Sequence, residues 1–166
     1  MARISLLALA ATALIAAGCG DDDADGGATP AANGDAMAKK TDAAMSAKGG
    51  VAVKAISSEY GRVIADRKGE AFYLFDREKG RKSECYGECA VAWPPVLTKA
   101  KPRAGKGARA GLLGTTKRRD GKLQATYAGH PLYYYKDDSP GTILCHDVDE
   151  FGGLWLVVKP SGRAAG

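Results

Sequence analysis

Residues 69–93, GEAFYLFDREKGRKSECYGECAVAW, and residues 129–155, GHPLYYYKDDSPGTILCHDVDEFGGLW, present the same order of residue types. Each stretch begins with glycine, continues with an aromatic run and an acidic loop, and ends with a cysteine followed by a tryptophan. A shift of 60 residues aligns Gly69 with Gly129, Tyr73 with Tyr133, Phe75 with Tyr135, Glu78 with Asp138 and Cys85 with Cys145, and Trp93 and Trp155 follow. A unit of this size is too small to bury its own apolar face, so the pattern predicts two intertwined internal repeats around one core.

The predicted fold is a small, mainly β domain with antiparallel strands. Short apolar runs between Gly and Asp turns are typical of strands. We expect strands at residues 51–56, 62–66, 71–75, 112–117, 122–127, 132–135 and 154–158, and a short helical turn near Cys85–Val91. Both faces of residues 71–75 are apolar, which indicates a central strand covered on both sides. Asp120-Gly121 predicts a hairpin between the strands that flank it.

The domain is expected over residues 51–163, with the first repeat at about 61–98 and the second at about 112–160. About 115 residues suit one modest core and not two. The chain's apolar content of 45% and charged content of 26% are ordinary for a globular protein. Its length and patterning exclude a polytopic membrane protein, a coiled coil and a large nucleotide-binding enzyme.

The N-terminal residues indicate export. Arg3 precedes a charge-free run, residues 4–17, which is shorter than the roughly 20 residues that a helix needs to cross a bilayer. It predicts a signal helix within a signal peptide of residues 1–18. The junction Ala16-Ala17-Gly18-Cys19 resembles the bacterial lipobox, in which the cysteine is acylated and becomes the new N-terminus. Cys19 is the predicted lipid attachment site, and an ordinary cleaved signal is the alternative.

The next segment, residues 19–50, predicts a disordered tether. It is rich in Asp, Ala and Gly and contains no aromatic residue, so it cannot bury enough apolar surface to offset the entropy of ordering. Two or more acyl chains hold a protein at a bilayer, at about 0.8 kcal/mol per buried methylene. The predicted localisation is therefore the extracytoplasmic face of a bacterial cell membrane, with the membrane as a partner through acylated Cys19.

Several motifs of the domain resemble those of one protein family. Residues 73–78, YLFDRE, and 133–138, YYYKDD, are similar to a Tyr-x-aromatic-x-x-Asp motif, with Glu78 in place of Asp in the first copy. Residues 85–95, CYGECAVAWPP, and 150–155, EFGGLW, match further stretches. In combination they resemble a family of predicted bacterial lipoproteins, also called the secreted repeat of unknown function. The resemblance implies an exported or lipid-anchored two-repeat domain without an established activity.

The family-motif residues are assigned to the core rather than to a binding groove. They are Tyr73, Phe75, Glu78, Tyr133, Tyr135, Asp138, Trp93 and Trp155. Half-buried strands favour aromatic residues for packing alone, and a groove for a carbohydrate or cofactor is the alternative. The two acidic members are expected to accept hydrogen bonds from turn amides.

Cys85, Cys89 and Cys145 are disulfide candidates, because an exported protein meets an oxidising environment. Three cysteines cannot all pair within one molecule. A bridge from Cys145 to Cys85 or Cys89 would join the repeats and close a loop of about 60 residues, which the chain-entropy model values at about 4 kcal/mol. The alternative is a copper or zinc site, or a thiol-redox site, formed by Cys85, Cys89, Cys145 and His146, with His130 as a further ligand.

The absence of a recognisable catalytic motif predicts a non-enzymatic protein without a cofactor. The sequence lacks Gly-x-Ser-x-Gly, His-Glu-x-x-His and a phosphate loop. His130 precedes Pro131 at a tip between two strands, and as a catalytic base it would need a nucleophile or a carboxylate within reach. We assign His130 to the turn.

The segment Lys99–Lys122 holds nine basic residues and one acidic residue. Its Pro102 and its glycines predict a mobile loop between the repeats. Each basic residue near an anionic surface adds about 1 kcal/mol of attraction, so anionic lipid or an anionic wall polymer is a predicted partner, and a solvated loop is the alternative. Nucleic acid is not expected as a partner outside the cell. The predicted function is a membrane-anchored extracytoplasmic module, either binding or structural, of unknown ligand.

Overall fold

The computed structural model describes residues 49–166 and confirms a mainly β domain. Its strands are β1 (Ala52–Ser58), β2 (Gly61–Ala65), β3 (Tyr73–Phe75), β4 (Leu97–Thr98), β5 (Arg103–Ala104), β6 (Leu113–Lys117), β7 (Leu123–Tyr127), β8 (His130–Pro131), β9 (Val148–Glu150) and β10 (Gly153–Val157). The short helix α1 (Glu88–Ala92) confirms the helical turn expected near Cys85–Val91. A 3₁₀ turn covers Ala110–Leu112.

The predicted signal helix, the predicted lipobox at Cys19 and nearly all of the predicted tether lie outside the described residues. Gly49 and Gly50, the last two residues of the predicted tether, are described and lead into β1. Between residues 49 and 166, no helix has the length and apolar character needed to span a membrane.

Each repeat completes the sheet of the other with its last strand. β10 belongs to the second repeat and pairs antiparallel with β3 of the first, with Trp155 opposite Phe75. β4 belongs to the first repeat and pairs antiparallel with β7 of the second, with Leu97 opposite Gln124. Neither half completes its sheet alone, and the intertwined packing predicted from the repeat pattern is confirmed.

Tyr73 and Tyr133 lie at the point where the two repeats meet. The Tyr73 amide donates to the Tyr133 carbonyl at 2.9 Å, and the Tyr133 amide donates to the Tyr73 carbonyl at 3.0 Å. Since these residues occupy equivalent positions of the two repeats, a reciprocal pair between them indicates an approximate twofold axis through this point. The axis explains why contacts described below occur in matching pairs.

Residues 71–75 are buried on both faces, as their sequence predicted, and none is more than 4% exposed. One edge of β3 pairs with β10, and its other edge meets Tyr133. Tyr73 and Phe75 belong to one apolar cluster, whereas Phe72 and Leu74 belong to a second cluster. Successive strand residues point to opposite faces, so β3 lies between the two clusters.

The hairpin predicted at Asp120-Gly121 is confirmed, because β6 and β7 pair antiparallel around it. The continuous strand predicted at residues 132–135 is wrong. The ladder ends with β8, and Tyr133 then forms only isolated bridges with Tyr73 and Pro95. The chain turns at Tyr135, whose carbonyl accepts the Asp138 amide at 3.2 Å, so the apolar run is too short to continue as a paired strand.

The loop predicted between the repeats is wrong in part, because its first half contains regular structure. β5 pairs parallel with β1, with Arg103 opposite Ala52. The 3₁₀ turn at Ala110–Leu112 then leads into β6. The parallel partner of β5 lies about fifty positions earlier in the chain, and local turn residues carry no signal for such a distant pairing.

Candidate functional site

The acidic residues of the two repeats bind tyrosines crosswise. The Tyr73 hydroxyl of the first repeat donates to Asp138 Oδ2 of the second at 2.6 Å. The Tyr133 hydroxyl of the second repeat donates to Glu78 Oε1 of the first at 2.5 Å. Burial raises the pKa of both tyrosines, and their carboxylate partners raise it further, so both phenols keep their protons. The 60-residue alignment of the two repeats showed that these residues are equivalent. It did not predict hydrogen bonds between one repeat and the other.

Each of the two carboxylates also holds the loop that precedes an aligned cysteine. Glu78 Oε1 accepts the Glu84 amide at 2.7 Å. Asp138 Oδ1 accepts the Leu144 amide at 2.9 Å. Glu84 and Leu144 are equivalent positions, so the two repeats use one loop design. The expectation that these carboxylates accept turn amides is confirmed.

Glu78 is a deeply buried carboxyl, with 3% of its surface exposed. Within residues 49–166 its Oε2 atom has no hydrogen-bond partner. Burial raises the pKa of Glu78 to about 7, although the hydrogen bonds from Tyr133 and Glu84 act in the opposite direction. Chemically, this carboxyl is therefore able to take up or release a proton near neutral pH.

The aromatic members of the motif pack between the crossed pairs. The rings of Trp93 and Trp155 stack with centroids 4.1 Å apart, and Phe75 stacks on Trp155 at 4.3 Å. Tyr135 packs against Trp93 at 4.8 Å. Both tryptophans are 0% exposed. The structure therefore places these residues in the core, as the sequence analysis assigned them, and not along a groove.

The disulfide joins Cys85 to Cys89, whose Cα atoms lie 5.3 Å apart. The predicted bridge from Cys145 to either of them is therefore wrong. Cys85 precedes helix α1 and Cys89 lies in its first turn, and between them the chain turns at Gly87, whose φ is 61°. Cys145 is 0% exposed and outside the disulfide, and a side-chain hydrogen bond joins it to Tyr135. The short disulfide loop is worth about 2 kcal/mol in the chain-entropy model, half the value expected for a bridge between the repeats.

The copper or zinc ligand set considered as an alternative is not assembled in the described residues. Cys85 and Cys89 are joined to each other. His146 Nδ1 accepts the Val157 amide at 3.3 Å, and burial lowers the pKa of this imidazole. His130 lines a separate cavity. Across residues 49–166, no group of three or more His, Cys, Asp and Glu side chains is arranged to hold a metal ion.

Arg118 is a structural residue that the sequence analysis missed. It is 5% exposed, and its guanidinium donates to Gln124 Oε1 at 2.6 Å and to the Cys85 carbonyl at 2.8 Å. It also lies 4.3 Å from the ring centroid of Tyr86, which Arg119 approaches at 3.9 Å. These contacts hold the disulfide loop of the first repeat on the hairpin of the second. Arg118 lies within the basic run, where nothing in the sequence distinguishes it from its exposed neighbours.

A cavity of about 710 Å³, here called the tether cavity, lies where the chain enters the domain. The Lys99 amide donates to the Gly49 carbonyl at 3.1 Å, and the Arg103 amide donates to the Val51 carbonyl at 2.8 Å. A Cβ atom at Gly50 would lie 2.4 Å from the Lys101 carbonyl oxygen, so this close approach requires glycine. Gly49 and Gly50 thus form part of one wall of the cavity.

The wall of the tether cavity is strongly cationic. Its charged side chains are Arg67, Lys99, Arg103, Lys122 and one carboxylate, Asp66. Val51, Leu97 and Leu123 supply apolar surface. Tyr134 completes the wall, and burial followed by the charge of Asp66 raises its pKa, so it keeps a hydroxyl donor. The basic segment predicted as one surface is therefore divided between this cavity, the buried Arg118 and exposed positions.

A model of the protein family described as a secreted repeat of unknown function matches residues 54–97 and 114–159. The two matches together cover more than half of the chain. The chain belongs to this family. No curated protein and no solved structure shows a significant match.

The two copies of the secreted repeat explain the paired contacts. The first copy contains Tyr73 and Glu78, and the second contains Tyr133 and Asp138, so each copy supplies one phenol and one carboxylate to the other. The matched first copy starts within β1, earlier than the start at about residue 61 expected from the sequence. Membership in a secreted family is consistent with an extracytoplasmic module.

Proposed function

We propose that this protein is a lipid-anchored, non-enzymatic binding module of the bacterial envelope, which binds an anionic ligand in the tether cavity. The observation that carries the proposal is the charge of the cavity wall, where four cations stand against one carboxylate. Anionic lipid head groups and anionic wall polymers present the complementary charge. Each Lys or Arg near such a surface contributes about 1 kcal/mol of attraction, which salt weakens.

The polar groups of the tether cavity suit binding. Of the cations that line it, Lys99 and Lys122 are exposed and Arg103 is half-buried. Tyr134 keeps its proton and offers a hydroxyl donor to a phosphate oxygen. The apolar surface of Val51 and Leu97 accommodates the carbon skeleton next to such an anionic group.

The position of the cavity also supports the proposal. Cys19 lies thirty positions before Gly49, which forms part of the cavity wall. A fully extended chain spans at most about 3.6 Å per residue, so acylated Cys19 keeps the cavity within about 100 Å of the membrane. Anionic groups of the bilayer surface and of the adjacent wall fall within that distance.

The anchor makes the first prediction. In a bacterial host, Cys19→Ala is expected to move the protein from the membrane fraction to the detergent-free soluble fraction, because the residue that carries the acyl chains is gone. Cell fractionation and labelling with radioactive palmitate measure this. Cys145→Ala removes a cysteine outside the lipobox and should leave the label and the membrane association unchanged. A Cys19→Ala protein that stays with the membranes would contradict the anchor.

The ligand makes the second prediction, tested on the unacylated Cys19→Ala chain. The double variant Lys99→Glu/Lys122→Glu is expected to bind phosphatidylglycerol vesicles or poly(glycerol phosphate) roughly 30-fold more weakly or worse, because two attractive contacts of about 1 kcal/mol each are lost. Vesicle co-sedimentation and calorimetry with the polymer distinguish lipid from wall polymer as the source of the anion. Phosphatidylcholine vesicles are the neutral reference.

A matched charge reversal keeps this test specific. Lys101→Glu/Lys106→Glu makes the same change of net charge in the same basic segment, at exposed residues that do not line the cavity. It is expected to weaken binding far less. Equal losses in both double variants would show that net charge alone drives attraction, and they would overturn the assignment of the ligand to the tether cavity.

A further inference from the structure

The two repeats pack differently at one pair of equivalent glycines. Gly69 and Gly129 occupy aligned positions in the turns that precede the aromatic strands. At Gly69 a loop of the other repeat closes over the turn, and the Gly141 amide donates to the Gly69 carbonyl at 3.0 Å. A Cβ atom at Gly69 would lie 3.9 Å from Gly141 N and from Pro140 Cβ. The turn at Gly69 is therefore in contact with a loop of the other repeat.

The same place in the other half is open. A Cβ atom at Gly129 would meet no atom within 4 Å. Gly80 and Arg81, the residues aligned with Pro140 and Gly141, line a cavity of about 520 Å³ together with Gly129. The repeat fold does not require this gap at Gly129, because the loop at Pro140 and Gly141 closes over the equivalent turn at Gly69.

His130 lines this cavity, here called the His130 cavity. Its Nδ1 atom is buried and has no hydrogen-bond partner among residues 49–166. A buried polar group left without a partner destabilises the folded state. The aligned residue of the closed half is Glu70, so the imidazole is present only where the gap is.

The other lining groups define the chemistry of an occupant. Arg81 is the cation of the His130 cavity, and Leu112 and Leu113 supply apolar surface. Gly111 also lines it, and a Cβ atom there would meet nothing within 4 Å. Cavities of about 300–1,000 Å³ with a few polar groups on apolar walls are typical of small-molecule sites.

We propose that the His130 cavity binds a small organic oxyanion, a carboxylate or a phosphate monoester. One oxygen accepts a hydrogen bond from His130 Nε2–H, the ring nitrogen that is not buried, and the guanidinium of Arg81 neutralises the charge. The carbon skeleton lies against Leu112 and Leu113. This site is separate from the tether cavity, and the proposal does not depend on the function proposed above.

The two histidines of the chain allow a direct test on the full-length protein in detergent micelles. With ¹⁵N,¹³C-labelled histidine, NMR shows two imidazole ring systems, and His130→Asn assigns them. Benzoate, phenyl phosphate and the neutral benzamide are the probes. We expect benzoate or phenyl phosphate to shift the His130 ring saturably while the His146 ring stays unchanged, and the tighter of the two anions identifies the oxyanion.

Three variants separate a site from general charge attraction. Arg81→Gln is expected to weaken the better anion at least 10-fold, and Gly111→Leu is expected to abolish its binding by filling the cavity. Lys82→Gln removes a neighbouring exposed cation that does not line the cavity and should have little effect. Shifts that do not saturate with either anion, equal shifts with benzamide, or equal effects of Arg81→Gln and Lys82→Gln would overturn the proposal.

Discussion

Trp155→Ala is expected to lower the free energy of unfolding by about 3–5 kcal/mol. Trp155 is 0% exposed and stacks between Phe75 at 4.3 Å and Trp93 at 4.1 Å, with the edge of Tyr133 against it. It also lies on β10, the strand of the second repeat that pairs with β3 of the first. Small domains are stable by about 5–15 kcal/mol, so this single truncation removes a large share of the total.

Urea unfolding followed by circular dichroism measures this change on the Cys19→Ala chain. Val91→Ala is the control, because Val91 is 71% exposed on α1 and its truncation should change stability by no more than about 0.5 kcal/mol. A loss below 1 kcal/mol for Trp155→Ala would mean that the stacked aromatic residues do not hold the two repeats together.

Glu78→Gln is expected to remove a fall in stability that the native protein shows as pH rises. The pKa of Glu78 is raised by burial from 4.5 to about 7. Between these values the folded carboxyl holds its proton and the unfolded one has released it, so the folded state binds more protons and loses stability as pH rises. The stabilisation is fully present below pH 4.5 and is lost as the pH rises to about 7. Each pKa unit corresponds to about 1.4 kcal/mol, so the total loss is about 3 kcal/mol.

The measurement is the difference in unfolding free energy between the native sequence and Glu78→Gln across this pH range. Other groups with shifted pKa values, such as Asp138 and His146, contribute to both proteins and cancel in the difference. Glu88→Gln, at an exposed position of α1, is the control that changes the same charge without burial. A difference that stays constant with pH would show that Glu78 titrates as an ordinary carboxyl in the folded state.

The repeats and most strand positions could be predicted because they follow from local patterns. Apolar runs such as residues 71–75 show which segments must be buried, and Asp120-Gly121 supplies the backbone conformation of a tight turn. The 60-residue alignment of Tyr73 with Tyr133 indicated equivalent environments. It did not reveal that each phenol bonds the carboxylate of the other repeat, since an alignment shows equivalence and not which copies touch.

The cysteine pairing shows the limit of the same alignment. The equivalence of Cys85 and Cys145 favoured a bridge between the repeats, whereas the structure pairs Cys85 with Cys89. The turn between them accompanies this pairing: Gly87 has a φ of 61°, a left-handed backbone conformation that favours glycine. Residues at equivalent positions of two repeats lie in equivalent surroundings, which need not be adjacent.

The sequence by itself determined the two repeats, their mainly β character, the buried aromatic run and the family to which the chain belongs. These properties depend on the spacing of residue types along the chain. The tertiary structure alone decided that β10 pairs with the first repeat and β4 with the second. It also decided that Arg118 is buried while its basic neighbours are exposed, and where the tether cavity and the His130 cavity lie. Those features depend on contacts between residues that are far apart in the chain. The burial and packing of such a residue are set by the residues that folding places beside it, and not by its neighbours in the sequence.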